Sequence, residues 1–166
     1  GKVTVNGGTF NALKSIFDFQ NNLGKNPPVI TVKGGNYSAD PTKVTSYGSI
    51  VLDANYVVVE NNDGVWTVVK AAAKIDKQGY ATIKDAVAAV KESETITILA
   101  GTHSEGTIKL PATLKNVTIK GAEGAELKDM TISAADGNAY SYVGLTFDGI
   151  TFDNSRILLT GWRNGD

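Results

Sequence analysis

Few residues in this chain have the types that chemistry needs. His103 is the single histidine and there is no cysteine. Any Ser-His-Asp arrangement or histidine-metal site must therefore pass through His103, while thiolate zinc sites, disulfides and cysteine nucleophiles are excluded. Ser104 and Glu105 follow it, but adjacent residues on a strand or turn point apart, so the expected role of His103 is that of an ordinary turn residue. Asp148 and Asp153 in FDGITFDNS, together with Asp129 or Asp136, are the residue types of a carboxylate pair or a calcium site. The wider pattern Leu145, Phe147, Ile150, Phe152 alternates with polar positions, which places both aspartates on a solvated face. Tyr140, Tyr142 and Trp162 offer flat aromatic faces, the surfaces on which sugar rings stack. Tyr140, Tyr142, Trp162, Asp148 and Asp153 are thus the candidate ligand contacts, and no catalytic residue, metal ligand or cofactor is assigned.

Other motifs have plainer readings. Trp66, beside Val65 and Val68, is expected in a core or at a module interface. Lys120-Gly121-Ala122-Glu123-Gly124 follows a strand as a phosphate loop would. It lacks the helix that would aim N–H groups at an anion and carries an acid inside it, so it reads as a turn. Asn36-Tyr37-Ser38 and Asn116-Val117-Thr118 match glycosylation acceptors, but the second lies in a strand pattern.

The elements that would hold these residues are mostly strands. The chain has 166 residues, of which 42% are hydrophobic and 18 are glycine. That is enough apolar material for a core and more glycine than the usual share of about 7%. Sixteen basic against 17 acidic residues give a formal charge of −1, which offers no grip on a phosphate backbone, so nucleic acid is not an expected partner. No apolar run approaches the roughly 18 residues of a spanning helix, and membrane insertion is not expected either. A strand pattern starting at Lys2 and an apolar run at Ile157 to Leu159 point to excision from a longer polypeptide, whose neighbouring modules would then be partners.

Internal repetition organises the first half. VTVNGGTF from Val3 to Phe10 recurs as ITVKGGNY from Ile30 to Tyr37, 27 residues on (3 to 30). A strand followed by Gly-Gly suits a chain that must turn sharply, and repeating the unit makes coils. Ser15 to Phe19 reads as a further strand between the copies. Tyr56 to Glu60 and Val65 to Val69, joined through Asn61-Asn62-Asp63-Gly64, read as a hairpin. The pattern changes at Ala71-Ala72-Ala73, which separates a module at 1–70 from one at 71–166.

The second module opens with a helix predicted from Thr82 to about Lys91. Ile83, Ala86, Val87 and Val90 follow helical spacing, and Thr82 with Asp85 forms a capping box. Short β-branched runs follow, from Thr95, Thr107, Asn116, Met130, Gly144 and Arg156. Ile98, Ile119 and Phe147 recur at intervals of 21 and 28 residues (98 to 119, 119 to 147), a spacing that suits a solenoid coil of about three strands. The amphipathic helix is then expected to cover the apolar interior and the free strand edge of the first coil. The expected fold is mainly β, a single-stranded right-handed parallel β-helix with one short capping helix.

Two stretches resemble known families. Gly79 to Leu127 resembles the N-terminal leader of pectate-lyase-like right-handed β-helix proteins, pectin methylesterases among them. The shared features are a Tyr-x-Thr-Ile leader helix, a Thr-Ile-x-Leu strand, a Gly-Thr-x-x-Glu turn at Gly101 to Glu105 and the strand Asn116-Val117-Thr118-Ile119. His103 stands where that family usually has tyrosine. Val3 to Val68 is similar to the Gly-Gly-Thr-Phe repeats of large surface proteins from gut-dwelling bacteria. These resemblances imply a β-helix in a secreted or wall-attached, adhesin-like setting, and they carry no catalytic residues to transfer. The functional expectation is a non-catalytic structural or adhesive surface module whose ligand would be a polysaccharide or a host or cell-surface glycan. The alternative is a fragment of a polysaccharide-active lyase, hydrolase or esterase, whose groove needs more coils than 166 residues supply at about 25 per coil.

Overall fold

The computed structural model describes residues 1–12, 16–17, 19, 27–43, 48–134 and 144–159. Contacts divide the chain into two compact units, Gly1–Lys70 and Ala71–Asp166. Both are built on stacked parallel strands, and the fold is the expected parallel β-helix.

In the first unit the 27-residue repeat becomes strand register. Strands β1 (Lys2–Val5), β2 (Thr9–Phe10), β3 (Val29–Val32) and β4 (Gly35–Tyr37) pair as parallel ladders, β1 with β3 and β2 with β4. Val3 lies opposite Ile30 and Phe10 opposite Tyr37, like on like as the repeat requires. Strand β5 (Ser49–Leu52) extends the first ladder. Strands β6 (Tyr56–Glu60) and β7 (Trp66–Lys70) form the predicted antiparallel hairpin, which joins β4 through β7.

The Gly34-Gly35 pair is required because the coils touch there. A Cβ on Gly34 would lie 2.8 Å from the carbonyl oxygen of Asn6, and one on Gly35 2.8 Å from that of Gly8. Both residues also have positive φ, 155° and 113°. Beneath this turn Tyr37 is buried, its ring stacked on Phe10 with centroids 5.0 Å apart and its hydroxyl donating to the Gly34 carbonyl at 2.7 Å. The Ser15–Phe19 strand is not formed as predicted: Ser15 and Asp18 lie outside the described residues, and Ile16, Phe17 and Phe19 are irregular. Their side chains explain the apolar run in another way. Phe17 packs 6.2 Å from both Phe10 and Tyr37, and Phe19 is buried against Gly48.

The second unit begins with a feature the sequence reading lacks. Strands β8 (Ala73–Ile75) and β9 (Gln78–Tyr80) form a small antiparallel hairpin. Then come α1 (Ile83–Ala89) and the first coil, β10 (Thr95–Ile98), β11 (Gly101–His103) and β12 (Thr107–Lys109). The second coil is β13 (Thr118–Gly121), β14 (Ala125–Lys128) and β15 (Thr131–Ser133), and the third is β16 (Thr146–Asp148), β17 (Thr151–Asp153) and β18 (Arg156–Leu158). Each strand pairs in parallel with its counterpart one coil away, giving three ladders, β10-β13-β16, β11-β14-β17 and β12-β15-β18.

The registers build inward columns: Ile96, Ile119 and Phe147 on one face, His103, Leu127 and Phe152 on the next, and Ile108, Ile132 and Ile157 on the third. Ile96, Ile119 and Leu127 are fully buried. Ile119 and Phe147 pair as their 28-residue spacing predicts, but Ile98 does not lie over Ile119. It lies over Gly121, and Ile96 takes the place, a slip of two residues that keeps the same face inward.

The cap divides its work between two elements. Ile83, Ala86 and Val87 of α1 join the core cluster, so the helix covers the apolar end of the stack as expected. Of the first coil's strand edges, that of β10 is covered by β8, which pairs antiparallel with it, while β11 and β12 end their sheets. An edge offers unpaired N–H and C=O groups that another strand can match, whereas a helix uses its own internally. Thr82 accepts from the Asp85 N–H at 3.0 Å, which is the Thr82 half of the expected capping box. Two further N–H groups of the first turn, Ile83 and Lys84, donate to the Glu105 carboxylate at 2.7 and 3.0 Å. Glu105 thus ties the helix to the turn after β11, across more than 20 residues of sequence.

Candidate functional site

His103 is not exposed for chemistry. It begins the inward column one coil below Leu127 and is half-buried, with Nε2 2.8 Å from the Leu99 carbonyl. A carbonyl only accepts, so Nε2 carries the proton there. Its neighbour Glu105 is committed to the helix.

The run from Gly144 to Phe152 is broken by a turn at Gly149 (φ 63°) into β16 and β17, which belong to different sheets. Asp148 and Asp153 are therefore separated onto adjacent faces, and each meets a lysine one coil below. Lys120 Nζ lies 3.9 Å from Asp148 and Lys128 Nζ 2.9 Å from Asp153, with all four side chains substantially exposed. The hydrogen bond to Asp153, reinforced by its charge and by those of Asp129 and Glu126, holds the Lys128 ammonium pKa above its ordinary value, with desolvation opposing. Of the acids considered with them, Asp129 sits beside Lys128 in this cluster, and Asp136 lies outside the described residues, as do Tyr140, Tyr142 and Trp162.

The chain turns from the second face to the third through two residues per coil, Asp129-Met130 and then Asn154-Ser155. Asp129 and Asn154 both take the left-handed conformation, at φ 53° and 46°, which short polar side chains tolerate. They stack one coil apart, Asn154 Nδ2 donating to Asp129 Oδ1 at 2.5 Å. Ser155 Oγ accepts from the Met130 N–H at 2.8 Å and lies 2.9 Å from the Leu127 carbonyl and 3.0 Å from that of Asp153. An open cleft of about 390 Å³ runs along this corner, lined by Asp129, Met130, Thr131, Asn154, Ser155 and Arg156. It presents a carboxylate, an amide, hydroxyls and a guanidinium, groups that hydrogen-bond to hydroxylated ligands. Sequence reading reached Asp129 alone of this group. The signal for the rest is the 25-residue spacing of Asp129 and Asn154, which shows only once the coil length is known.

Elsewhere the outer faces carry polar columns, such as Thr95, Thr118 and Thr146, and Thr102 Oγ1 donating to Glu126 Oε2 at 2.7 Å. Among the described residues no polar or charged side chain is buried, and no three histidine or acidic side chains gather to hold a metal ion. No helix among them is long and apolar enough to cross a membrane. Compared with families of known proteins, with curated proteins and with solved structures, the chain matches none.

Proposed function

We propose that this chain is a non-catalytic module of a secreted or cell-surface bacterial protein, a structural and adhesive β-helix segment whose ligand is a glycan. One observation carries the reading. The acids with the residue types for catalysis are committed to coil-to-coil pairs on the outside of the stack, Asp148 with Lys120, Asp153 with Lys128 and Asp129 with Asn154, which is how a scaffold uses them. The pectate-lyase-like leader and the Gly-Gly-Thr-Phe repeats support the surface setting, and the polar corner cleft and the aromatic set Tyr140, Tyr142 and Trp162 support glycan contact.

A second reading, a fragment of a polysaccharide-active enzyme, is favoured by the same cleft, in which the Asp129 carboxylate and the Arg156 guanidinium line one opening. Incubating the protein with immobilised acidic and neutral polysaccharides separates the two. Retention without bond cleavage, weakened when the three aromatic residues become alanine, is the expected result. Release of shortened products that stops on Asp129→Asn overturns the non-catalytic reading.

A further inference from the structure

The two Gly-Gly turns of the first unit differ in one residue that bears on chemistry. The lower turn reads Asn6-Gly7-Gly8 and the upper Lys33-Gly34-Gly35. An asparagine followed by glycine is open to attack by its own chain, because no side chain shields the next backbone nitrogen and the reacting atoms are already tethered. Such attack needs an exposed amide, a backbone N–H that is not already donated, and room around it. Asn6 and Gly7 are both exposed, and the Gly7 N–H donates to no group among the described residues. Nothing lies within 4 Å of a Cβ built on Gly7. The hairpin turn at Asp63-Gly64 is the opposite case. There the Gly64 N–H donates to the Asn61 carbonyl at 3.0 Å, and the Asp63 carboxylate accepts from the Val65 N–H at 3.0 Å. Packing does not require glycine at position 7 either: Gly34 one coil above has a positive φ and an Asn6 carbonyl against it, and Gly7 has neither constraint.

We propose that Asn6-Gly7 is a self-modification site, at which the asparagine amide becomes a carboxylate without an enzyme. The Gly7 nitrogen attacks Asn6 Cγ, and the new C–N bond closes a five-membered imide. The side-chain nitrogen leaves as ammonia, taking the Gly7 proton with it. Water then opens the imide at one of its two carbonyls. Opening at the side-chain carbonyl gives aspartate, and opening at the main-chain carbonyl gives isoaspartate, whose backbone runs through Cγ. The fold separates the two products. The carbonyls of Val5 and Gly8, on either side of the site, accept from the Lys33 and Asn36 N–H groups, each at 2.8 Å. Aspartate leaves the span between these anchors unchanged, whereas isoaspartate adds a methylene to it. The register also sets Asn6 one coil below Lys33, and Lys33 one coil below Asp53, with its Nζ 3.2 Å from the Asp53 carboxylate. An aspartate at position 6 therefore extends this ion pair into an acid–lysine–acid column, and the modification adds one negative charge to the first coil.

The test is incubation of the 166-residue chain over days in mildly alkaline buffer, followed by peptide mapping, isoaspartate-specific methylation and ion exchange. The expected result is that residue 6 loses its amide several-fold faster than any other described asparagine, with ammonia released in equal amount. Mapping separates it from Asn164-Gly165, which lies outside the described residues. Gly7→Ala, which the turn has room for, should slow the conversion several-fold with circular dichroism unchanged, and Asn6→Gln should remove it. In the separated products, hydrogen exchange should show the Lys33 and Asn36 amides keeping their protection in the aspartate form and losing it in the isoaspartate form. An amide at residue 6 that outlasts those of the other described asparagines, or a conversion indifferent to Gly7→Ala, overturns the proposal. Equal protection in the two products overturns the part played by the anchored carbonyls.

Discussion

Replacing Gly121 with alanine tests whether the second and third coils are stacked as tightly as the registers imply. Gly121 ends β13 and is buried, with Ile98 one coil below and the Gly149 turn one coil above. An added Cβ would overlap the Gly149 carbonyl oxygen and lie 2.9 Å from its carbon and 3.1 Å from Ile150 Cα. All of these are backbone atoms, so no side chain can rotate away, and the third coil must move as a body. Overpacking costs about 1–3 kcal/mol, and rigid neighbours place this case near 3. For a chain of this size that lowers the melting temperature by about 6–12 °C, at roughly 2–4 °C per kcal/mol. Gly106→Ala is the control: φ is 70° and nothing lies within 4 Å of its Cβ, so it carries only the left-handed penalty of about 1 kcal/mol. Thermal unfolding followed by circular dichroism, with hydrogen exchange locating the loss at β16 and β17, makes the measurement. If Gly121→Ala melts no lower than Gly106→Ala, the coils do not approach at this glycine and the stacking argument fails.

Three further outcomes are expected. Glu105→Ala should cost about 1–3 kcal/mol by releasing two backbone N–H groups of α1, and hydrogen exchange should show the first helical turn losing protection before the coils do. Ile132→Ala, in the middle of its column, should cost about 2–5 kcal/mol, and Ile157→Ala, 37% exposed at the end of the same column, clearly less; equal losses in denaturant titrations of dilute protein would mean that the last rung is covered. Tyr37→Phe should cost about 1 kcal/mol for the lost hydrogen bond to Gly34. Burial raises the Tyr37 pKa, so folding favours its protonated form. That contribution is intact below the unfolded tyrosine value near 10 and is lost as pH rises through the folded one. Absorbance titration should show one phenol ionising later than the others, and Tyr37→Phe should remove that late phase.

The sequence made the coil legible wherever a whole motif repeated. An eight-residue motif matched at six positions and one offset fixes which strand lies on which, and Val3 over Ile30 and Phe10 over Tyr37 follow directly. A single isoleucine is weaker evidence. Ile96 and Ile98 both face inward, and only the length of the intervening turns decides which of them meets Ile119. The candidate site suffered from the same period-two ambiguity. Thr-Phe-Asp occurs twice between Thr146 and Asp153, so alternation seems unbroken on paper while the turn at Gly149 sends the two halves to different sheets. The corner cleft and the Glu105 clamp were hidden for another reason. Asp129 with Asn154, and Glu105 with α1, are brought together by coil closure across more than 20 residues, and no local spacing marks them.

The ladders of the second unit also decide how it would answer to force. Apart from the cap on the first, each coil is bonded only to its neighbouring coils, through three short parallel strand pairs of three or four residues. Tension applied at Leu159 therefore loads the third coil first, and its three strands must peel before the second is touched. Each turn of about 25 residues that unwinds releases roughly 80–90 Å of slack. A protein built of such turns lengthens in steps, and the turn clamped by α1 and β8 is the last to let go.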